Sequence, residues 1–238
     1  MVELIKSAAL RLGDAAEVVT GFCTGDNRRF LRAGRGDALK ADDYVVVDES
    51  KICSSATSEG VPDTVEAYVS YVKGASKTRY LRRADEWFVR WDRATVDYYR
   101  HSSKSRFQNS HCYFRTGVGI PMVKAGQIRA FLMKNSVFDQ SVVGIFPKDE
   151  SRLHYILALM NSEVVNQMVR IINPTANNSA CYIRQLPYIE PSGRELEAIG
   201  AMVRRLLEEL RRGNGKICQK LHGQLNEAIR RIYFPDAA

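Results

Sequence analysis

The apolar positions of this chain change their spacing along its length, and each change marks a different kind of element. Up to about residue 190, short β-like runs dominate, separated by Gly, Pro, Asn and Ser. Residues 17–22 and 44–47 are β-branched runs that predict buried strands. Residues 65–73 alternate, with Val65, Ala67, Val69 and Tyr71 on one side. Residues 87–91 alternate as well, setting Trp87, Val89 and Trp91 against Phe88 and Arg90, which places an arginine on a strand face. Residues 111–115 and 142–146 are further candidate strands, the second stopped by Pro147.

Between residues 151 and 170 the period becomes helical. Leu153, Ile156, Leu157, Met160, Val164 and Met168 fall on one face after an acidic start at Asp149 and Glu150. This predicts one core-facing helix packed on a sheet and closed by Asn173-Pro174-Thr175. After Pro191, a stripe of Leu196, Ile199, Val203, Leu206 and Leu210 is broken by Gly213-Asn214-Gly215. A second stripe of Ile217, Leu221, Leu225, Ile229 and Ile232 follows it. Two such stripes about a glycine turn predict an antiparallel helical hairpin. The fold class expected is therefore α+β. A mixed, mostly antiparallel β-sheet domain with packed helices spans residues 1–190, and the hairpin, a spacer or docking element, spans 191–238.

Composition narrows the function classes. Five cysteines, widely scattered and without a C-x-x-C pair, point to reduced cytosolic thiols rather than a disulfide framework or a zinc site. No apolar run approaches the length of a membrane span. The net charge of +8 is unevenly placed: residues 1–60 carry a net −2 and residues 61–140 a net +7. Eleven basic residues fall between Lys73 and Arg115, opposed there only by Asp85, Glu86, Asp92 and Asp97. Such a local excess attracts a polyanion, and its arginines suit phosphates and base edges.

The most informative local motif is Gly21-Phe22-Cys23-Thr24-Gly25-Asp26-Asn27, which puts a turn directly after an apolar strand. Glycine supplies positive φ, and Asp and Asn bond back to nearby backbone. Arg28, Arg29 and Arg32 then surround Phe30 and Leu31. Downstream come Lys73-Gly74, Arg79-Tyr80 and the tryptophan strand, then Arg106-Phe107-Gln108-Asn109 and Tyr113-Phe114-Arg115-Thr116-Gly117. Phe138-Asp139, Ile145-Phe146-Pro147, Leu157-Ala158-Leu159-Met160-Asn161-Ser162, Asn173-Pro174-Thr175 and Ile183-Arg184-Gln185-Leu186-Pro187 complete the series.

In order and spacing these blocks resemble the C-terminal target-recognition domain of adenine-N6 DNA methyltransferases. Type IIG restriction-modification enzymes, TaqI-like specificity domains and the methylase of BREX phage-defence systems carry such domains. The resemblance covers residues 16–190. It departs from the family where a glycine pair is reduced to Gly74-Ala75 and a Trp-Tyr pair is replaced by Arg79-Tyr80. It implies a module that reads double-stranded DNA and works beside a methyltransferase catalytic domain or subunit. Lys73, Arg79, Arg82, Arg83 and Arg106 are the implied phosphate and guanine contacts, and Gln108 and Asn109 are suited to adenine edges. Thr24, Asn27 and Arg29 would contact the duplex from the turn. Tyr80, Trp87, Trp91, Phe107, Tyr113 and Phe114 read as sheet core rather than base-stacking platforms.

No catalytic residues, cofactor or metal ligands are expected. The glycine-rich cofactor turn and the Asn-Pro-Pro-Tyr type motif of the family's catalytic half are missing from the sequence. Asn173-Pro174-Thr175 lacks the stacking aromatic that would hold a flipped base, and the four histidines have no ligand spacing. The competing expectation is an interaction or regulatory protein that keeps the recognition fold and binds a methylase or another defence protein instead of DNA.

Overall fold

All six residues of the run Val142–Pro147 are buried, as expected of a strand covered on both faces. Its side chains divide between two cores. Val143 and Ile145 enter a core shared with the helices, while Val142 and Phe146 enter a second core between two sheets. The computed structural model describes residues 1–34, 44–62, 66–74, 76, 78–82, 86–123, 126–173, 175 and 177–235. Val65, Arg83 and Pro174, which figure in the sequence expectations, lie outside these residues.

The strands, in chain order, are β1 (Leu10–Arg11), β2 (Ala16–Thr20), β3 (Leu31–Ala33), β4 (Tyr68–Val72), β5 (Trp87–Arg90), β6 (Gly117–Pro121), β7 (Phe131–Met133), β8 (Val137–Phe138), β9 (Val142–Pro147) and β10 (Pro187–Tyr188). The helices are α1 (Val2–Ser7), α2 (Leu12–Ala15), α3 (Asn27–Phe30), α4 (Arg93–His101), α5 (Leu153–Asn161), α6 (Glu163–Ile172), α7 (Ala180–Arg184), α8 (Gly193–Arg211) and α9 (Gly215–Tyr233). One four-stranded sheet has the order β2-β9-β6-β7 and is antiparallel throughout. The other has the order β3-β5-β4-β8 and is antiparallel except for the β4–β8 pair. A short β1–β10 pair ties the N-terminus to the segment before the hairpin. The molecule is thus α+β, with mixed, mostly antiparallel sheets and a packed C-terminal helix pair, as the apolar pattern predicts.

The intersheet core is aromatic. Phe22 sits at its centre, with ring centroids of Tyr71, Trp91, Tyr99, Phe107 and Tyr113 between 5.2 and 5.9 Å away. Edge and tilted contacts of this kind add to the burial of the rings themselves. Trp87, Trp91 and Tyr113 are buried in this cluster, with Phe107 and Phe114 half-buried against it, while Tyr80 is buried in the core shared with the helices.

Three local expectations are corrected. Residues 44–47 form no strand: Val46 makes a single bridge to Ala33, and Val45 is 68% exposed. Residues 111–115 form a 3₁₀ turn (Ser110–Cys112) and a bend, because Asn109 and Phe114 have φ of 55° and 63°, which no strand accommodates. The single helix expected over 151–170 is two. Ser162 breaks it with ψ of 157°, and its hydroxyl accepts the Val165 N–H to cap α6.

The hairpin forms as its stripes predict. Ser192 and Glu195 make a reciprocal capping box at the start of α8. Ile199, Val203, Leu206, Leu221, Leu225 and Ile229 belong to the same buried cluster as Val18, Val118 and Ile145 of the first sheet. A polar chain adds to this seal. Asn226 Oδ1 accepts the Glu163 N–H at 2.9 Å, which turns its NH2 toward His222 Nε2 at 3.1 Å. His222 Nε2 must therefore accept, and the proton on Nδ1 points to Tyr80 Oη at 2.7 Å. A second proton would set N–H against NH2.

Burial, followed by the nearby Arg79 charge, lowers the pKa of His222 below its ordinary 6.5, and burial lowers that of His154 in the same way. With folded values below the unfolded one, the unfolded chain binds protons first as pH drops. Stability is then full above about 6.5 and falls from there toward the lowered values. The urea midpoint is expected to drop between pH 7 and pH 5 by less in His222→Gln than in the parent. An equal drop in both would show that His222 is not responsible.

Candidate nucleic-acid interface

β2 continues past Thr20 through Gly21 and Phe22 into the turn Thr24-Gly25-Asp26-Asn27. Thr24 is fully buried, and its hydroxyl donates to Asn27 Oδ1 at 2.8 Å while accepting the Asp26 N–H at 3.3 Å. Asp26 caps α3 by accepting the Arg29 N–H at 3.1 Å. Gly25 adopts a φ of 78° and lies so close to Lys104 that a Cβ would stand 2.6 Å from its backbone carbonyl. The second segment, 104–106, is fastened to the turn on both sides. Cys23 and Arg106 exchange backbone hydrogen bonds of 3.2 and 2.9 Å, and Ser105 Oγ donates to the Thr24 carbonyl at 2.7 Å.

This fastening sets four cations at the surface of two adjoining segments. Phe30 turns inward, and Arg28, Arg29, Lys104 and Arg106 are exposed. Among the described residues, the side chains of Arg28, Lys104 and Arg106 have no hydrogen bond or ion pair. Arg29 lies over the rings of Phe30 and Tyr98, 4.8 and 5.0 Å from their centroids, which orients its guanidinium without neutralising it. A rigid turn bearing unneutralised guanidinium groups is suited to binding phosphate oxygens.

The other residues singled out from sequence have different settings. Lys73 is half-buried and paired with Asp139 at 3.0 Å. Arg82 donates to the carbonyls of Gly74 and Lys73 and to Glu86, at 2.8, 2.6 and 2.6 Å, and its guanidinium lies over Phe131. Burial pushes the Arg82 pKa down, against the pull of the Glu86 charge. Gln108 Nε2 donates to the Gly21 carbonyl at 2.7 Å and to Thr20 Oγ1 at 3.2 Å, and Asn109 Nδ2 donates to the Thr20 carbonyl at 2.9 Å. Gln108 and Asn109 clamp their loop to the end of β2, and Arg82 ties its loop to residues 73, 74 and 86. Arg79 is half-buried and bonds Gln127. The patch therefore brings together Asn27, Arg29 and Arg106 from the expected set. It adds Arg28 and Lys104, whose charge was visible in the sequence but whose placement depends on the Cys23–Arg106 pairing.

The chain matches no protein-family model and no curated protein. Among the described residues, no helix is long and apolar enough to cross a membrane.

Proposed function

We propose that this chain is a sequence-specific reader of double-stranded DNA that works beside an adenine-N6 methyltransferase catalytic domain or subunit in the reducing cytoplasm, without chemistry of its own. The observation that carries this reading is the set of four exposed cations held on two fastened segments. The order of sequence blocks that resembles target-recognition domains supports it too, as do five cysteines that are all free thiols. In this reading Arg28, Arg29, Lys104 and Arg106 meet phosphates, and one of the arginines reads a guanine edge. Arg82, Gln108 and Asn109 serve by holding the fold, because reaching DNA would break the bonds described above.

Duplex affinity is then expected to fall steeply with salt, with a log–log slope that reports on the order of four phosphate contacts. Arg28→Ala with Arg106→Ala should reduce that slope by about 1.8 without changing the urea midpoint, since each lost contact removes about 0.9. Fluorescence anisotropy with a labelled duplex measures it. Affinity that stays flat from low to physiological salt would overturn the DNA reading. Co-purification with a methylase but no duplex shift would favour the interaction-protein alternative.

A further inference from the structure

Glu17, near the start of β2, and the 3₁₀ turn Ser110–Cys112 bring three different ligand types to one point, although 94 residues separate Glu17 from His111. Glu17 Oε2 lies 3.0 Å from His111 Nε2 and 3.2 Å from Cys112 Sγ, and the three ligand atoms are all within 4.8 Å of one another. The arrangement is held from outside. Asn109, in the left-handed region, starts the turn, and the Gln108 and Asn109 amides bond Thr20 and Gly21 at the end of the strand that carries Glu17. The clamps thus fix the turn to Glu17's own strand, as a preorganised site requires.

We propose that Glu17, His111 and Cys112 form a binding site for a divalent transition ion, Zn²⁺ by preference, with at least one coordination position open to solvent. Imidazole, thiolate and carboxylate are the zinc ligands, and the thiolate and imidazole disfavour Mg²⁺ and Ca²⁺. Tetrahedral zinc with bonds of about 2.0–2.3 Å separates its ligand atoms by about 3.3–3.6 Å. The 3.0 and 3.2 Å gaps open by about 0.3–0.4 Å to reach that, and His111 Nε2 and Cys112 Sγ, within 4.8 Å of each other, settle at about 3.6 Å. The His111 side chain is 62% exposed and Glu17 40%, while Cys112 is buried beneath them, so an ion enters from solvent and the thiol closes the inner side. On binding, the Cys112 S–H bond breaks, the sulfur keeps the electron pair for the metal, and the proton leaves to solvent. Two features oppose it: burial and the Glu17 contact, which push the metal-free Cys112 thiol up to about 12, and Arg115, 3.3 Å from the same carboxylate oxygen and 3.9 Å from the Cys112 sulfur. Its guanidinium is anchored over the Phe146 ring at 5.3 Å, and that contact survives if the ion takes the carboxylate.

The test is a Co²⁺ titration of the full chain, followed by displacement with Zn²⁺. One equivalent is expected to bind with a thiolate-to-cobalt charge-transfer band, and Cys112→Ser should abolish the band. His111→Ala, at a solvent-exposed imidazole, should leave the unfolding midpoint in place and weaken Zn²⁺ by at least about tenfold in competition with a chromophoric chelator. If Cys112→Ser does not fold, His111→Ala decides alone. The absence of saturable uptake, the same band in Cys112→Ser, or unchanged Zn²⁺ affinity in His111→Ala would each overturn the site.

Discussion

Asp139→Ala is expected to destabilise the fold by about 3–5 kcal/mol, the range for removing one partner of a buried charged pair. Asp139 is only 3% exposed and stands where the two sheets meet. Its own N–H donates to the Val72 carbonyl of β4 at 2.8 Å, and Phe22, beyond the end of β2, bridges to it. Its carboxylate accepts from Tyr71 Oη at 2.7 Å, Lys73 Nζ at 3.0 Å and the Ser141 N–H at 2.8 Å. Burial alone would raise its pKa. The hydrogen bonds from Ser141 and Tyr71 and the charge of Lys73 outweigh that and hold it below 3.8. Its stabilising contribution is therefore complete above about 3.8 and lost as pH falls through the lower folded value. Alanine leaves the buried Tyr71 hydroxyl with only the Phe22 carbonyl at 3.2 Å, and the half-buried Lys73 ammonium without its acceptor. With a urea m-value of about 2 kcal/mol/M, a loss of 3 kcal/mol lowers the midpoint by about 1.5 M. Asp139→Asn keeps an acceptor for Tyr71 and should lose less. A midpoint within error of the parent for Asp139→Ala would refute this account of how the sheets are joined.

The elements that could be read from the sequence are those whose burial follows their local pattern. Residues 142–147 are apolar on both faces and form β9. The two stripes after Pro191 each close one helix, and Ser192 with Glu195 carries a start signal that needs no tertiary context. Where the pattern misled over 111–115 and 151–170, the backbone angles of one or two residues decided. The apolar stripe runs unbroken from Leu153 to Met168 because α5 and α6 both bury their faces, so only the Ser162-Glu163 capping pair hints at the break. For residues 111–115, the left-handed asparagine is a known exception to strand geometry, but a left-handed Phe114 has no sequence signal.

The candidate interface was legible in charge and hidden in contact. Arg29 and Arg106 differ from Arg82 only in what surrounds them. Arg82 meets two carbonyls, Glu86 and an aromatic ring, and none of these partners follows from spacing. Gln108 and Asn109 look like adenine readers because an amide offers a donor beside an acceptor. The same pair of groups suits a backbone carbonyl, and the close approach of 108–109 to the end of β2 selects that use. The Glu17, His111 and Cys112 cluster has no sequence spacing to find, since the clamps of Gln108 and Asn109 on Thr20 and Gly21 bring the turn to β2.

Gly21→Ala is expected to be about as damaging as Asp139→Ala, for a reason no side chain can relieve. A Cβ at position 21 would stand 1.9 Å from the Phe138 carbonyl oxygen, 2.4 Å from its carbon and 2.7 Å from the Asp139 carbonyl carbon. All three are backbone atoms, so no rotamer change makes room. The chain leaving β2 must instead separate from residues 138–139. That motion breaks the Phe22 N–H to Phe138 carbonyl bond of 3.0 Å and moves Phe22 out of the aromatic core. Overpacking a core with one carbon costs about 1–3 kcal/mol when side chains can yield, and a rigid backbone obstacle puts this case at about 3 kcal/mol or more. For a chain of this size that is a fall of roughly 6–12 °C in Tm. Gly193→Ala is the matched control. It sits at the start of α8, where a Cβ meets nothing within 4 Å, and the same added methyl should be neutral or stabilise by about 0.4–1 kcal/mol. Calorimetry of both variants separates a close backbone approach at Gly21 from a general preference for glycine. Because the strand that must move carries the Thr24–Asn27 turn, Gly21→Ala should also weaken duplex binding with all four surface cations still present. A Gly21→Ala protein as stable as Gly193→Ala would mean that β2 does not pass against Phe138 as described.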